Sequence, residues 1–568
     1  MAESFIFSIA ESLAAKLASR AYQEASRLVG VYDDLQELKT SLSYVKAVLL
    51  DAEQKQEHNH ELREWLKQIK LIFYDAENFL DEVDCETLSK QVVRDYGTPK
   101  DKVGRFFSSS NPLVFRYKLG HQIKEIKKRL DRVAADRNKF GLQVIDVDRR
   151  GVHRREMTYS HVVESKVVGR EHDKEMIMKL LMEPSLDDNG GSKHISVIPI
   201  VGIGGLGKTT LARLVYMHDL AVYVAKDVCQ LVSSNTQDIS ENVLHLSFVE
   251  NGLRCNSIKP SLQGARSILF PVNEVGASEA FLNAWVSNCK YLRYLDLSDS
   301  TCETLPQSIS KLKHLRSISL CNNTRIKRLP SSICKLQNLQ VLRLDGCSNL
   351  ETLPKKLRKL ISLQRLEITT KQSILPESDI AKLNRLEYLC VQDCDNLESL
   401  FVETRLPTLR TLQVSGCANL KSLPLDTHHF PQLETLVIPG IANEDWLDRS
   451  EDTNAVLRLK SIYFYGMVTL PHSLQQYAST LQTLVIACFY ELEVLPEWLW
   501  NLSSLKSLYI SECPKLKSLP SDIHRLTSLQ VLGIIKCREL YRKYEPQVGE
   551  CWPMISHIKH TYIRDTWE

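Results

Sequence analysis

One short segment of the sequence has the residue types and spacing of a phosphate-binding loop. The motif Gly202-x-x-x-x-Gly207-Lys208-Thr209 follows an apolar run at 195–200 and precedes a helix-prone run at 210–216. Nucleotide-binding loops lie between a strand and a helix in this way, and their glycine N–H groups converge on phosphate oxygens. The lysine contacts the β- and γ-phosphates, and the threonine ligates Mg²⁺. The candidate nucleotide-binding residues are Gly202, Gly204, Gly205, Gly207, Lys208, Thr209 and Thr210, with Thr209 as the metal ligand.

Nucleotide hydrolysis requires more than this loop. It needs an acidic residue on a neighbouring parallel strand to hold Mg²⁺, a group that orients water, and usually an arginine. A further parallel strand with its crossover takes about 30 residues. Only residues 211–216 separate the loop threonines from Met217, and no apolar run ending in Asp-Asp follows. We therefore expect ADP or ATP with Mg²⁺ to bind weakly, and we expect no enzymatic activity.

The composition places these residues in a multidomain globular protein. The chain has 568 residues, of which 43% are hydrophobic and 25% charged, and its net charge is +3. Such a balance gives no sign of a nucleic-acid-binding surface. The longest apolar run, 195–207, is shorter than the roughly 20 residues of a membrane span, and the N-terminus lacks the pattern of a signal peptide. These features predict a cytoplasmic protein with no stable membrane span and no nucleic-acid partner.

The second half of the sequence is a repeat array. The frame Leu-x-x-Leu-x-Leu recurs eleven times, from Leu292/Leu295/Leu297 to Leu529/Leu532/Ile534, and cysteines such as Cys347 stand at its Asn/Cys position. The period matches leucine-rich repeats, in which each unit contributes one short strand and stacks on its neighbours. We therefore predict a solenoid whose variable strand positions form a concave binding face.

The first 140 residues have helical periodicity. Apolar stripes recur at three- and four-residue spacing around 6–17, 35–49, 62–73 and 123–133. Each stripe must be hidden from water against another. The pattern predicts a four-helix bundle.

Several segments together resemble the plant coiled-coil nucleotide-binding leucine-rich-repeat disease-resistance proteins. Besides the phosphate-binding loop and the repeats they are Leu62-Arg-Glu-Trp-Leu66, the acidic segment FYDAENFLDEVD at 73–84, Val168-Gly169-Arg170, Met217-His218-Asp219 and the tail ECWPMISHIKH at 550–560. The resemblance extends the nucleotide site to Val168, Gly169, Arg170 and His218. His218 matches either the first or the second histidine of the family's Met-His-Asp-Leu-x-His-Asp-Leu-Ala. Relative to this family, most of the nucleotide-binding (NB-ARC) core is missing at the junction of Tyr216 and Met217.

The resemblance implies a domain order and a fold for each part. We expect a multidomain chain with an N-terminal four-helix bundle of the Rx coiled-coil type, a truncated α/β phosphate-binding fragment and a C-terminal leucine-rich-repeat solenoid of the α/β horseshoe type. The predicted parts are the helical domain at 1–140, a linker and the start of the NB-ARC domain at 141–194, the loop remnant joined to the Met-His-Asp motif at 195–220, a connector and repeat cap at 221–288, and about eleven repeats at 289–568.

The family's acidic helix is thought to rest against a basic surface on the repeats. In this chain the acidic residues in question are Asp75, Glu77, Asp81 and Glu82, and residues 289–371 hold sixteen Lys/Arg and six Asp/Glu. The sequence leaves two alternatives open. Either the acidic helix docks on the early repeats within the same chain, or both charged faces are separately solvated.

The resemblance also implies a function in plant innate immunity. The concave face of the repeats would contact a pathogen effector or a guarded host protein, and the chain would be cytoplasmic, with a peripheral position at the plasma membrane as the alternative. The missing core leaves other interpretations open: a nucleotide-switched receptor, a non-switching adaptor or decoy, an NTPase, which is the weakest of these, or the product of a defective gene model.

The first prediction concerns the nucleotide. We expect Lys208→Ala to reduce any ADP or ATP binding, because it removes the cation that faces the phosphates, and we expect no ATP turnover above background in either protein. Isothermal titration and a phosphate-release assay on the purified chain measure both. ATP hydrolysis that disappears in Lys208→Ala would contradict the prediction.

Overall fold

A computed structural model describes much of the helical and repeat parts of the chain. The described residues are 5–56, 59–98, 112–144, 229–232, 239, 243–248, 264–270, 279–300, 302–421, 423–439 and 457–565. The predicted nucleotide-binding residues at 168–170, 202–210 and 218 lie outside these ranges, so their assignment stays a prediction. Among the described helices, none is long and apolar enough to cross a membrane.

The N-terminal part is a bundle of helices joined by short, capped connections. Ser19 begins the second helix by accepting a hydrogen bond from the Tyr22 N–H, and Gly30 ends it in the left-handed conformation with φ 81°. The Asn59 side chain caps the fourth helix through the Leu62 N–H. The helices are α1 (Phe5–Ala18), α2 (Arg20–Val29), α3 (Tyr32–Lys55), α4 (His60–Tyr96) and α5 (Pro112–Asp136).

The four predicted apolar stripes lie on α1, α3, α4 and α5, and their residues form one buried core. Phe73 and Leu80 of α4 are fully buried there, and the Trp65 indole donates a hydrogen bond to the Val133 carbonyl of α5. The helical bundle is therefore present as predicted. The apolar periodicity of the sequence does not reveal α2, which is short and owes its boundaries to its two caps.

Within the described residues, the repeats form a parallel sheet of fifteen strands that follow one another in chain order. Strands β4 to β14 correspond to the eleven predicted repeats. The strands are β1 (Cys229–Val232), β2 (His245–Phe248), β3 (Ser267–Leu269), β4 (Tyr294–Asp296), β5 (Ser317–Ser319), β6 (Val341–Leu344), β7 (Arg365–Ile368), β8 (Tyr388–Gln392), β9 (Thr411–Ser415), β10 (Thr435–Pro439), β11 (Ser461–Tyr465), β12 (Thr483–Ala487), β13 (Ser507–Ser511), β14 (Val531–Ile535) and β15 (His560–Arg564).

The sheet extends beyond the eleven frames at both ends. Strands β1 to β3 fall in 221–288, the range predicted to be a connector and repeat cap. Strand β1 pairs in parallel with β2, β2 with β3, and β3 with β4. The helix α6 (Glu279–Asn288) lies between β3 and β4 and buries Leu282 and Trp285 in the solenoid core. Parallel pairing therefore begins before residue 289.

The solenoid core contains the frame leucines. Leu295, Ile318 and Leu342 hold the same register position on successive strands and are almost fully buried. The Cys347 thiol donates a hydrogen bond to the Leu320 carbonyl of the preceding repeat, 3.1 Å away. The side chain at this Asn/Cys position is therefore directed into the solenoid, and Cys347 is fully buried.

Short helical turns close the outer side of the repeats. The Leu-Pro segments lead into 3₁₀ turns, because a proline with φ near −65° suits the start of a turn. The 3₁₀ turns after β3 span Gln307–Lys311, Ser331–Lys335, Leu357–Lys359, His472–Tyr477, Glu497–Asn501, Ser521–Arg525 and Trp552–Met554, and the short helices are α7 (Glu377–Ile380) and α8 (Arg538–Tyr544).

The second prediction concerns this core. Leu342→Ala should lower the free energy of unfolding by about 2–5 kcal/mol, because it removes a fully buried side chain and leaves a cavity. Ser317→Ala, on the neighbouring strand but partly exposed, is the control and should change it by less than about 0.5 kcal/mol. Urea titrations followed by circular dichroism compare the two, and equal midpoints would contradict the expectation.

Candidate functional site: an interdomain interface

Three arginines line one edge of the sheet at its N-terminal end. Arg266, Arg293 and Arg316 each directly precede a strand, β3, β4 and β5 respectively. The Arg293 N–H donates to the Arg266 carbonyl at 2.7 Å, and the Arg316 N–H donates to the Arg293 carbonyl at 2.8 Å. Because neighbouring strands lie about 4.8 Å apart, the three side chains form a row, which we call the arginine ladder.

The long helix α4 presents a stripe of polar residues to this ladder. The stripe residues are spaced by three or four positions, so they share one face of the helix. Asn78, Asp81 and Glu82 are buried although they are polar, because the repeats cover them. The stripe consists of Tyr74, Glu77, Asn78, Asp81, Glu82 and Cys85.

Asp81 is the most enclosed acid of the stripe, with a side chain only 4% exposed. Its Oδ1 lies 2.8 Å from Arg316 Nη2 and 3.0 Å from Lys16 Nζ of α1. Its Oδ2 lies 2.7 Å from Arg293 Nη2, an ion pair that lacks hydrogen-bond alignment. One carboxylate thus joins two helices of the bundle to two repeats.

Glu77 lies one turn earlier and contacts the first two rungs of the ladder. Its Oε2 accepts a hydrogen bond from Arg266 Nη1 at 2.5 Å, and its Oε1 lies 3.2 Å from Arg293 Nη1. Arg266 also donates to the Tyr74 carbonyl at 3.2 Å and to Asn78 Oδ1 at 3.3 Å. The Arg266 guanidinium lies 4.4 Å from the centre of the Tyr74 ring, a cation–π contact.

A second row of contacts lies beside the ladder. Glu82 accepts hydrogen bonds from Lys290 and from the Tyr291 hydroxyl, the latter at 3.2 Å. One turn further along α4, the Cys85 thiol donates to the Lys313 carbonyl at 3.3 Å and accepts from Asn338 Nδ2 at 2.6 Å. The helix α4 therefore contacts the repeats of β3, β4, β5 and β6.

His314 is buried beneath this second row, 3% exposed. It lies between Tyr291, whose ring centre is 5.1 Å away, and Cys85, whose Sγ is 3.9 Å from His314 Nδ1. Burial lowers the pKa of His314 to about 4, although the nearby carboxylates of Glu82 and Asp81 act in the opposite direction. The imidazole is therefore neutral at pH 7.

The cations around Asp81 determine its ionisation. Burial alone would raise its pKa, but Arg293, Lys16 and Arg316 outweigh that effect and hold the pKa below its ordinary value. Asp84, which pairs with Lys16 at 2.7 Å, behaves differently: burial raises its pKa more than Lys16 lowers it. The interface thus keeps Asp81 as a carboxylate.

The four acidic residues singled out in the sequence do not all reach the repeats. Glu77, Asp81 and Glu82 do. Asp75 lies on another face of α4, and its Oδ2 pairs with Arg129 Nη1 of α5 at 2.6 Å, inside the bundle. The assignment of Asp75 to the interdomain contact is therefore wrong: this residue forms an ion pair between two helices of the bundle.

Sequence reasoning missed other residues of the interface. Arg266 lies before the basic range 289–371. The sequence feature that could have revealed it is the short run 265–272, which matches only part of the repeat frame. Arg293 and Arg316 could have been aligned from the frame, since both directly precede a strand. The other missed residues are Lys16, Tyr74, Asn78, Cys85, Tyr291, His314 and Asn338.

Two family models match parts of this chain. Residues 9–135 match the family model of the Rx N-terminal domain, and residues 278–451 match that of a leucine-rich repeat region. The chain is similar to the disease resistance protein RGA2 of Solanum bulbocastanum, with 34% identity over 216 residues, which is 38% of this chain and 20% of that protein. It is also similar to an RPP13-like disease resistance protein of Arabidopsis thaliana, with 36% identity over 32% of this chain and 17% of that protein.

These matches characterise parts of the chain. The helical part is similar to the Rx N-terminal domain, the repeat part is similar to a leucine-rich repeat region, and the chain is similar to plant disease resistance proteins. The matched segment spans about a fifth of the length of the first of these relatives.

The third prediction tests the ionic contacts. Asp81→Asn should weaken docking of α4 by about 3–5 kcal/mol, because it removes the buried carboxylate from Arg293, Arg316 and Lys16 and leaves Arg293 with Glu77 as its remaining acidic partner. Asp75→Asn is the matched control and should cost less than about 1 kcal/mol, because its ion pair is half-exposed. Hydrogen–deuterium exchange of residues 74–86 in the full chain reports docking. Equal exchange in both variants would contradict the assignment.

The fourth prediction concerns pH. A buried neutral histidine binds fewer protons than an exposed one, so docking should be strongest above pH 6.5 and should weaken as the pH falls toward 4. Asp81 keeps its contribution until the pH drops below about 3.8, its ordinary pKa. His314→Asn, which copies Asn338 of the next repeat, should remove the contribution of His314 to the pH dependence between 6.5 and 4. The raised pKa of Asp84 favours docking as the pH falls, which is opposite to the effect of His314, and it does so in wild type and in His314→Asn alike. The difference between the exchange profiles of these two proteins therefore isolates the effect of His314. Identical profiles would refute this role.

Proposed function

We propose that this chain is a plant innate immune protein in which the leucine-rich repeats recognise another protein and the Rx-type bundle is held against them. The observation that carries the proposal is the buried contact of Asp81 with Arg293, Arg316 and Lys16. It ties the bundle to the repeats through charges that are costly to separate. The curated relatives, which are disease resistance proteins, support the immune role.

Recognition is assigned to the concave face of the sheet. Strand residues that point away from the core alternate with the buried leucines, as Arg343 and Arg365 do around Leu342 and Leu366. Such solenoids offer an extended concave surface to partners. The partner is proposed to be a pathogen effector or a guarded host protein, and the setting is proposed to be cytoplasmic.

Nucleotide binding is a separate part of the proposal. The loop Gly202 to Thr210 supports ADP or ATP binding with Thr209 as Mg²⁺ ligand, and its sequence neighbourhood supplies no group for hydrolysis. A nucleotide-switched receptor and a non-switching adaptor or decoy therefore remain as two proposals. Sequencing the transcript across Tyr216 and Met217 separates them, since a transcript that restores the missing core favours the receptor.

The fifth prediction tests the immune role in the plant. Lines that lack the gene should lose resistance to at least one isolate in a panel of pathogens, and wild-type chain should restore it. Asp81→Asn should restore it less well than Asp75→Asn at equal protein level, because only Asp81 joins the bundle to the repeats. Pathogen growth in leaves is the measurement. Unaltered resistance across the panel without the gene would overturn the proposal.

A further inference from the structure

A turn between β9 and β10 gathers two histidines and an aspartate. The Asp426 carboxylate accepts a hydrogen bond from the His429 backbone N–H at 2.9 Å. The His429 Nδ1 lies 2.8 Å from both carboxylate oxygens. His428 stands beside His429, with ring centres 5.0 Å apart. One ligand atom from each of the three side chains lies within 4.8 Å of the others.

The hydrogen bond on the far side of the His429 ring fixes where its proton lies. Nε2 is 3.0 Å from the carbonyl oxygen of Val402, which belongs to the preceding repeat. A carbonyl can only accept, so Nε2 carries the hydrogen and a neutral ring directs the Nδ1 lone pair at Asp426. Two electron-pair donors then face each other. Such a pair requires a positive charge between them, either a second proton on the ring or a cation.

The surroundings of the ring match those of a metal-binding histidine. Metal-ligating histidines usually donate their other ring N–H to a carbonyl or carboxylate, which holds the ring in one orientation. The His429 side chain is only 15% exposed and the Asp426 side chain 28%, whereas His428 faces solvent. Two positioned ligands and one exposed ligand leave an open side through which an ion can enter.

We propose that Asp426, His428 and His429 form a binding site for a divalent transition-metal ion, with zinc as the metal that suits two imidazoles and a carboxylate. Tetrahedral ligand atoms about 2.0–2.2 Å from Zn²⁺ lie roughly 3.3 Å apart. The Nδ1 and carboxylate oxygens therefore separate slightly on binding, and His428 rotates inward. Water fills the remaining coordination position.

The site links two repeats. His429 is bound to Val402 of one outer connection, and Asp426 belongs to the next, where the Leu-Pro motif at 423–424 is followed by a turn rather than a 3₁₀ helix. A metal ion that binds the folded state stabilises it by mass action. Zinc binding should therefore raise the thermal stability of the solenoid. This role goes beyond the proposed function and does not depend on it.

The chain contains its own control. Asp522 and His524 lie in the outer turn of a later repeat with the same two-residue spacing as Asp426 and His428. The next residue there is Arg525, so the adjacent second histidine is missing. If the site depends on His429, the pair at 522 and 524 should contribute nothing.

The experiment is equilibrium dialysis of the untagged full chain against zinc chloride in the presence of a phosphine reductant, with thermal melting in parallel. His428→Asn leaves the hydrogen bonds of His429 to Asp426 and Val402 intact and tests the exposed ligand, while Asp426→Asn tests the carboxylate. Each variant should bind one zinc ion fewer than wild type, or bind that ion at least about tenfold more weakly. Each should also lose the zinc-dependent rise in melting temperature. The variant Asp522→Asn/His524→Asn should behave as wild type.

Two results would overturn the proposal. Equal zinc stoichiometry and affinity in wild type, His428→Asn and Asp426→Asn would show that Asp426 and His429 form a protonated ion pair only. A loss of zinc in the Asp522→Asn/His524→Asn variant equal to the loss in His428→Asn would show unselective binding by surface histidines. Binding by cysteine thiols is common to all variants and cancels in the comparison.

Discussion

The hydrogen bonds between successive parallel strands fix the spacing on which the other contacts depend. They place the same position of each repeat in line at about 4.8 Å intervals. Leucines at the inward positions then form a continuous core, and Arg266, Arg293 and Arg316 form a row at the sheet edge. A helix offers residues on one face about every 5.4 Å, one turn apart, so a single acidic stripe can meet several rungs. The docking of α4 follows from these two regular spacings, the spacing of the strands in the sheet and the spacing of the turns in the helix.

Because the ionic contact is buried, it stabilises a carboxylate only where several cations surround it. Removing a carboxylate from water is costly, and the cost is recovered when several cations converge on it. Asp81 has Lys16, Arg293 and Arg316 within ion-pair distance, whereas Asp84 has Lys16 and a pKa that burial raises. The bundle must therefore be folded before the site is complete, because Lys16 comes from α1 and Asp81 from α4. Docking reports on the integrity of both parts.

The sequence predicts the parts of this structure that repeat. The frame leucines mark β4 to β14 because each must face the core, and the apolar stripes mark α1, α3, α4 and α5 for the same reason. The sequence pattern does not predict features that depend on one or two residues. The helix α2 is bounded by Ser19 and Gly30, and β3 follows Arg266 in a segment with an incomplete frame. Charge counts indicated an acidic and a basic surface but not which residues of the two surfaces meet. Asp81 contacts the repeats and Asp75 contacts α5, because the two residues lie on different faces of α4.

The interface lies next to the strands that form the concave face. Arg293 and Arg316 are followed directly by Tyr294 and Ser317, the first residues of β4 and β5. A partner bound across these strands would contact residues that are covalently adjacent to the rungs holding Asp81. Coupling between the two sites requires a difference in partner affinity between docked and undocked states. Overlap on β4 and β5 is a physical basis for such a difference, because a backbone shift in either strand moves a guanidinium that α4 requires.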